Sequence, residues 1–259
     1  MNETPFDWAQ SPAAVWRRHR SGLRAIRRLD PISWDDLTGI ARQKQALARN
    51  TERFLAGEPS NNALLWGSRG TGKSSLIKAL LNRYRDQGLR MIEVDKDDLV
   101  NLPEIVDDIC DLPYRFVIFC DDLSFDVGES GYKALKSVLE GSLELPPENV
   151  RVYATSNRRH LMPEFMSDNV KSEVRDGELH PAEAIEEQVS LADRFGLQLS
   201  FYPFSQDIYL QAVDALFPQV ADREQLHIEA LRFATGKGVR NGRTAQQFFR
   251  QFAGDPRFT

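Results

Sequence analysis

Short apolar runs alternate with stretches of helical periodicity along most of the chain. The run FVIFC at residues 116–120 has no polar position, which is typical of a strand buried on both faces of a sheet. Between such runs, apolar residues recur every three or four positions, as in helices that cover a sheet. The alternation predicts an α/β fold with a five-stranded parallel sheet between helices. The expected strands are 63–66, 90–94, 116–120, 150–154 and 197–202.

The two ends of the chain have other patterns. Residues 11–29 begin with Ser-Pro and space Trp16, Leu23 and Ile26 among arginines, so we expect an Arg-rich helix there. After Pro203 only helical spacing is found, which predicts a small all-helical domain. The expected parts are an N-terminal helical arm at 1–33, an α/β domain at 34–203 and a helical domain at 204–259.

Composition excludes several classes of protein. The 259 residues carry 33 Lys and Arg against 38 Asp and Glu, a net charge of -5, so there is no overall attraction to nucleic acid or anionic membranes. Residues 17–28 are the exception, with six arginines and no acid. Two cysteines are too few for a disulfide framework. Without a secretory signal or a long apolar run, the sequence predicts a soluble cytoplasmic protein with no membrane span.

A glycine-rich segment follows the first expected strand of the α/β domain. Residues 67–74, GSRGTGKS, fit the phosphate-loop pattern G-x-x-x-x-G-K-[ST] and open a helix. Glycines let backbone N–H groups face a phosphate, Lys73 can contact the outer phosphates, and Ser74 can ligate Mg²⁺. The candidate nucleotide-binding residues are Gly67, Ser68, Arg69, Gly70, Thr71, Gly72, Lys73, Ser74 and Ser75.

Two acids follow the apolar strand at 116–120. A phosphate-loop ATPase needs a carboxylate for its hydrated Mg²⁺ at the end of a buried strand. Asp121 is the candidate on the metal side, together with Ser74. Asp122 is the candidate that orients or deprotonates the attacking water. Apart from the phosphate loop, the same pattern is also that of an ordinary buried strand entering a polar turn.

These motifs resemble those of AAA+ ATPases, and four further segments fit in chain order. Residues 34–40, which end on Gly39 and Ile40, resemble the segment that flanks the adenine. Residues 152–157 resemble the sensor 1 strand, with Asn157 at its tip. DRFG at 193–196 resembles the arginine-finger box, which implies that Arg194 acts in trans. GRTA at 242–245 resembles sensor 2, which implies a γ-phosphate contact for Arg243, with Arg240 as a nearby competitor.

A closer resemblance is to the bacterial family called domain of unknown function 815, which contains predicted AAA+-like ATPases. The segments that carry it are NNALLWGSRGTGKSSLIKALL, IFCDDLSF, YATSNRRHL and DRFGL. The resemblance implies ATP and Mg²⁺ as cofactors and a helical lid over the nucleotide. It also implies a homo-oligomeric ring or filament with nucleotide at subunit interfaces. The partner, protein or nucleic acid, is not identified by the family name.

The sequence departs from the AAA+ pattern in two places. Most active members carry Asp-Glu where this chain has Asp121 and Asp122. Asp is one methylene shorter, and a misplacement of roughly 1 Å can lower a rate about a hundredfold, so we expect slow hydrolysis. The stretch 95–103 lacks the aromatic residue and glycine of protein-threading loops. Two segments are candidate partner contacts: the charged connection 158–188 and the arginine-rich arm, which alternatively is a solvated face or a clamp on the acidic body.

Three functions remain open. The first is an ATP-hydrolysing machine that remodels or loads a macromolecular partner. The second is an ATP-dependent binding switch with slow or no hydrolysis, as in helicase loaders. The third is a small-molecule kinase, which the arginine-finger box and the helical C-terminal domain make a remote alternative. A dinucleotide oxidoreductase fits less well still, because its fold requires a different glycine spacing.

Overall fold

The computed structural model describes residues 6–18, 22–125, 130–141, 143, 145–158, 161 and 191–258, with side-chain detail for all of them except Ser130. Seven strands in these ranges form one sheet in the order β2-β1-β4-β5-β6-β3-β7. The strands are β1 (Ala13–Arg17), β2 (Gly22–Ala25), β3 (Ala63–Gly67), β4 (Leu89–Glu93), β5 (Arg115–Cys120), β6 (Val150–Ser156) and β7 (Leu197–Phe201).

The predicted five-stranded parallel sheet is confirmed as part of this larger one, to which β1 and β2 are added next to β4. Strands β4, β5, β6, β3 and β7 pair in parallel, and all five match the expected segments within a few residues. Strands β4, β5, β6 and β3 bury side chains on both faces because helices cover both sides of the sheet, whereas β7 at the edge is only partly buried. The carboxyl ends of β3, β5 and β6 therefore lie next to one another at one edge, where ligands bind in open α/β sheets.

The predicted Arg-rich helix at 11–29 is wrong. These residues instead form a hairpin in which β1 pairs in parallel with β4 and in antiparallel with β2. Ala13 packs into the hydrophobic cluster on one face of the sheet, and Ala14 and Trp16 pack into the cluster on the other. Both faces of β1 are thus buried, which a strand achieves at alternate positions and a surface helix does not. The arm extends the sheet from five to seven strands.

Helices pack on both faces of the sheet and form the C-terminal region. Before the helical region the structure has α1 (Ala41–Leu55), α2 (Lys73–Tyr84), α3 (Leu102–Asp107) and α4 (Ser130–Glu140), with 3₁₀ turns at Arg85–Gln87 and Lys96–Asn101. Residues 191–193 are also helical. None of the helices in the described ranges is long and apolar enough to cross a membrane.

The C-terminal region is helical as predicted. Helices α5 (Gln206–Leu216), α6 (Arg223–Lys237) and α7 (Gly242–Phe252) pack around a separate apolar core. Phe248 is fully buried at its centre, and its ring lies 5.6 Å from that of Phe217. Each helix begins at a side-chain cap, Ser205, Asp222 and Asn241 respectively. The caps satisfy backbone N–H groups that would otherwise lack a partner at the helix starts.

Replacement of Trp16 tests the hairpin. Trp16 is 4% exposed, so Trp16→Ala should lower the free energy of unfolding by about 3–5 kcal/mol in urea titrations. Arg17→Ala, at the neighbouring exposed position of the same strand, should change it by less than about 0.5 kcal/mol. Equal, small effects of the two variants would contradict integration of β1 into the sheet.

Candidate functional site

The phosphate loop follows β3, and contacts with β7 restrain its first residues. The Ser68 N–H donates to the Phe201 carbonyl at 3.0 Å. A Cβ added to Gly67 would lie 2.0 Å from that carbonyl oxygen, and Gly67 has φ of 129°, so only glycine fits there. Further on, the buried Thr71 hydroxyl donates to the Ser68 carbonyl at 2.8 Å and closes the loop on itself. The loop is thus held in place by β7 and by its own side chain.

Helix α2 begins at the end of this loop and offers its N-terminus to an anion. Its N-cap is Gly72, with φ of 98° and no side-chain cap. The first backbone N–H groups of the helix, at Lys73 to Ser75, therefore receive no acceptor from a capping side chain. Uncapped N–H groups and the helix dipole favour a negative charge at this point. The loop and helix start fit a phosphate group.

Lys73 lies at the middle of the site and is 6% exposed. Its ammonium donates to the carbonyls of Gly67 and Ser68, both at 2.8 Å, and to Asn157 Oδ1 at 3.2 Å. Burial lowers the pKa of Lys73 from its ordinary value of 10.5, and the nearby carboxylates of Asp122 and Asp121 oppose that shift. The ammonium is held between the loop and the acidic strand end.

The acids and Ser74 form the oxygen-rich side of the site. Ser74 Oγ donates to Asp121 Oδ1 at 2.6 Å, across 47 residues of sequence. Thr155 Oγ1 donates to the same carboxylate oxygen at 2.5 Å. A hydroxyl and a carboxylate so close together are ligands of the type that Mg²⁺ prefers. The donor set therefore fits this ion, with Ser74 and Asp121 as the residues that would hold it.

Asp122 adopts an unusual backbone conformation, with φ of 52°. Its N–H donates to Thr155 Oγ1 at 2.9 Å, which holds the turn in this conformation. The Asp122 carboxylate accepts a hydrogen bond from Asn157 Nδ2, and Arg69 lies 3.9 Å away as an exposed ion-pair partner. Asn157 thus contacts Asp122 with its NH₂ group and Lys73 with its amide oxygen.

The helical C-terminal region that begins at residue 204, here called the lid, approaches this site from the other side of the loop. A Cβ on Gly39 would lie 2.4 Å from Ile208 Cγ2 on α5, so the predicted adenine-flanking segment passes closely under the lid. Buried Ile40 lies beside Gly72, with 3.6 Å between its Cδ1 and a Cβ added there. Arg243, at the start of α7, is near enough for its charge to lower the pKa of Lys73. Arg240 instead reaches Gln206 at 3.5 Å.

Arg194 lies outside this group of contacts. Its Nε donates to Glu140 Oε1 at the end of α4, and its side chain is 15% exposed. Within one chain it is thus held by α4. The connection 158–188, a predicted partner contact, lies outside the described residues except for Arg158 and Leu161.

Three residues that bind the predicted site residues were not predicted from the sequence. Thr155 binds both acids, Glu140 binds Arg194, and Asn241 donates to the Arg69 carbonyl at 3.0 Å. Thr155 lies two positions before Asn157 at the end of β6, so the period of a strand places the two on one face, and that signal was available. The other two contacts join segments far apart in sequence, for which no local pattern exists.

The family of the chain follows from a match over nearly its whole length. The family described as a protein of unknown function, DUF815, matches residues 9–256. The chain belongs to the DUF815 family. No curated protein has a significant sequence match to this DUF815 member.

Solved structures identify the fold. The DUF815 chain superposes on a point mutant of Thermotoga maritima RuvB with a TM-score of 0.50 at 13% identity, covering 88% of this chain and 74% of RuvB. The Aeropyrum pernix ORC1 protein, solved in complex with DNA, gives a TM-score of 0.55 at 17% identity, covering 85% of this chain and 60% of ORC1. The fold is that of the AAA+ P-loop ATPases, as the motifs predicted.

Substitution of Thr155 tests the connection between the two acids. Thr155→Val keeps the shape but removes the hydroxyl that Asp121 and the Asp122 N–H share, so we expect a loss of about 1–3 kcal/mol in the free energy of unfolding by urea. Thr155→Ser keeps the hydroxyl and should recover most of the difference between the valine variant and the parent. If valine and serine variants were equally stable, the hydroxyl would have no such role.

Proposed function

We propose that this DUF815 protein binds ATP with Mg²⁺ and hydrolyses it to ADP and phosphate. The nucleotide lies between the α/β domain (34–203) and the helical lid (204–259). Binding and hydrolysis drive the remodelling or loading of a macromolecular partner. The fold and the uncapped N-terminus of α2 support nucleotide binding.

The observation that carries the proposal is one series of hydrogen bonds through the site. It runs from Ser74 to Asp121, through Thr155 to Asp122, and through Asn157 back to Lys73. The phosphate-binding loop and the acidic strand end are thus joined twice by side chains. A glycine-rich turn without a ligand does not require such a network of charged and polar groups. Phosphoryl transfer requires a lysine, metal-binding oxygens and a water-orienting carboxylate at one place.

Each residue then has a defined part in hydrolysis. Lys73 contacts the outer phosphates, and Ser74 and Asp121 hold Mg²⁺, which would neutralise phosphate charge. Asp122 and Asn157 orient the water and Asp122 accepts its proton. The water oxygen bonds to the γ-phosphorus as the bond to the β–γ bridging oxygen breaks, so that ADP leaves. Arg243 contacts the γ-phosphate from the lid.

Arg194 is proposed to complete the site of a neighbouring subunit in a homo-oligomeric ring or filament. An arginine supplied in trans is worth about 10³–10⁵ in rate. The ion pair with Glu140 holds the Arg194 side chain in one orientation and limits its conformational freedom. An isolated subunit would then be almost inactive.

The partner is a protein or a nucleic acid. The arginines of the β1–β2 hairpin and the residues after it favour a polyanionic contact, since Arg17, Arg24, Arg27 and Arg28 are exposed. The ORC1 structure contains DNA, which adds a fold-level analogy and no more. Contacts of this kind should weaken steeply with salt.

A second candidate is an ATP-dependent switch with very slow hydrolysis. The observation that favours it is the position of Asp122, whose short carboxylate is bound by Asn157 and lies near Arg69. A carboxylate oxygen that already accepts a hydrogen bond from Asn157 is less available to accept one from water. ATP would then close the lid and change partner affinity without rapid turnover.

Turnover per subunit should rise with protein concentration if Arg194 acts in trans. We expect Mg²⁺-dependent ATP hydrolysis per subunit to increase with protein concentration. Arg194→Ala should lower this hydrolysis by at least about 10³-fold with ADP affinity unchanged. Lys73→Ala should abolish nucleotide binding. Arg223→Ala, which removes a lid ion pair with Asp214, is the control and should retain activity. Flat, near-zero turnover with tight ATP binding would support the switch instead.

Lengthening Asp122 tests how the water is held. Asp122→Glu should retain or raise turnover because it moves the carboxylate forward by roughly 1 Å, and Asp122→Asn should remove the base and most of the activity. Both are measured as ATP hydrolysis at saturating ATP. A large loss in the glutamate variant would mean that the site is built around aspartate.

A further inference from the structure

Asn241 has two separate tasks at the junction of lid and phosphate loop. Its Oδ1 accepts from the Thr244 N–H at 2.8 Å and the Thr244 hydroxyl at 3.0 Å, which caps α7. Its Nδ2 donates to the Arg69 carbonyl at 3.0 Å, 172 residues away in sequence. Asn241 is buried, with 6% of its surface exposed. A helix cap needs only the oxygen, so the second contact calls for another explanation.

The next lid residue repeats the contact one position further along the loop. The Gly242 N–H donates to the Gly70 carbonyl at 3.0 Å. A Cβ on Gly70 would lie 2.6–3.0 Å from three atoms of the Asn241 amide, and Gly70 has φ of 75°. Two successive carbonyls of the loop are therefore held by two successive lid residues, and this close approach requires glycine at position 70.

These contacts determine which way the loop amides point. In a planar trans peptide the C=O and the following N–H point in opposite directions. With the carbonyls of Arg69 and Gly70 turned to the lid, the N–H groups of Gly70 and Thr71 point away from it. Successive N–H groups that are directed the same way form a concave anion-binding site. Held in advance, they need no ordering when a phosphate binds, which increases affinity.

We propose that Asn241 is a positioning residue for the nucleotide: through the Arg69 carbonyl it holds the phosphate loop in its anion-binding form, and it thereby couples the lid to phosphate binding. This inference rests on the proposed nucleotide function. Coupling is reciprocal, so a bound phosphate must also stabilise the docking of the lid on the loop. The lid then responds to the phosphate loop through backbone contacts, in addition to any direct contact of Arg243.

Serine at position 241 separates the two tasks. Asn241→Ser retains the capping oxygen without adding charge, but it lacks the amide NH₂ that reaches Arg69. The control is Asp222→Ser, which places the same capping residue on α6, where the present cap accepts from the Gln225 N–H at 2.9 Å. In titration calorimetry of the full chain with ADP and Mg²⁺, Asn241→Ser should weaken binding about five- to tenfold, the effect of one hydrogen bond. Asp222→Ser should leave it unchanged.

A second variant tests the contact itself. Gly70→Ala should weaken ADP binding, and in the Asn241→Ser background the further loss should be smaller because the added Cβ no longer meets the amide. Backbone strain at φ of 75° is present in both backgrounds and cancels in the double-mutant cycle. If the effects of Gly70→Ala and Asn241→Ser on ADP binding were additive, the contact between these two residues would not be the cause of the weaker binding.

Hydrogen exchange supplies a readout that does not depend on affinity. ADP should slow amide exchange at residues 242–245 in the parent and in Asp222→Ser, and less in Asn241→Ser at matched saturation. If the parent binds ADP and Asn241→Ser binds it equally well, with the same protection of α7, the coupling is refuted while the proposed function stands. If the parent binds no nucleotide, the proposed function fails and the coupling fails with it.

Discussion

The parallel pairing of β6 with β3 on one side and with β5 on the other determines the whole candidate site. β6 pairs Ser156 with Trp66 of β3 and Ala154 with Cys120 of β5. The residue between them, Thr155, therefore lies beside the acids that follow β5, and Asn157 lies beside the loop that follows β3. A one-residue slip of this register would turn Thr155 to the other face of the sheet and remove its hydroxyl from both acids.

The charge distribution around Lys73 follows from this arrangement. Burial and the charges of Arg69 and Arg243 disfavour the ammonium of Lys73, and the carboxylates of Asp122 and Asp121 favour it. The cations approach from the loop and from the lid, and the acids approach from the sheet. Any movement of the lid therefore changes the electrostatic surroundings of the phosphate site. Because the lid also binds the loop backbone, its geometry and its charge act on the site together.

The sequence predicted the parts of the site that are contiguous in the chain and missed those that form across it. The phosphate loop has a fixed local spacing, and the acidic strand end follows an uninterrupted apolar run, so both could be recognised. The hairpin could not be recognised, because the spacing of Trp16, Leu23 and Ile26 also fits a helix. The segment forms a strand because the edge of β4 is available for pairing with it. Asn241 has the sequence context of an ordinary cap, and its second contact depends on how the lid docks.

The pairing of β1 with β4 has a consequence for the solubility of the chain. Without the hairpin, Leu89, Met91 and Ile92 of β4 would form the edge of the sheet, and these residues are buried in the structure. An open apolar edge pairs readily with other chains. With the hairpin in place, the outermost strand is β2, which is short and carries the exposed Arg24. Removal of the first 30 residues would thus turn a protected sheet into a template for aggregation.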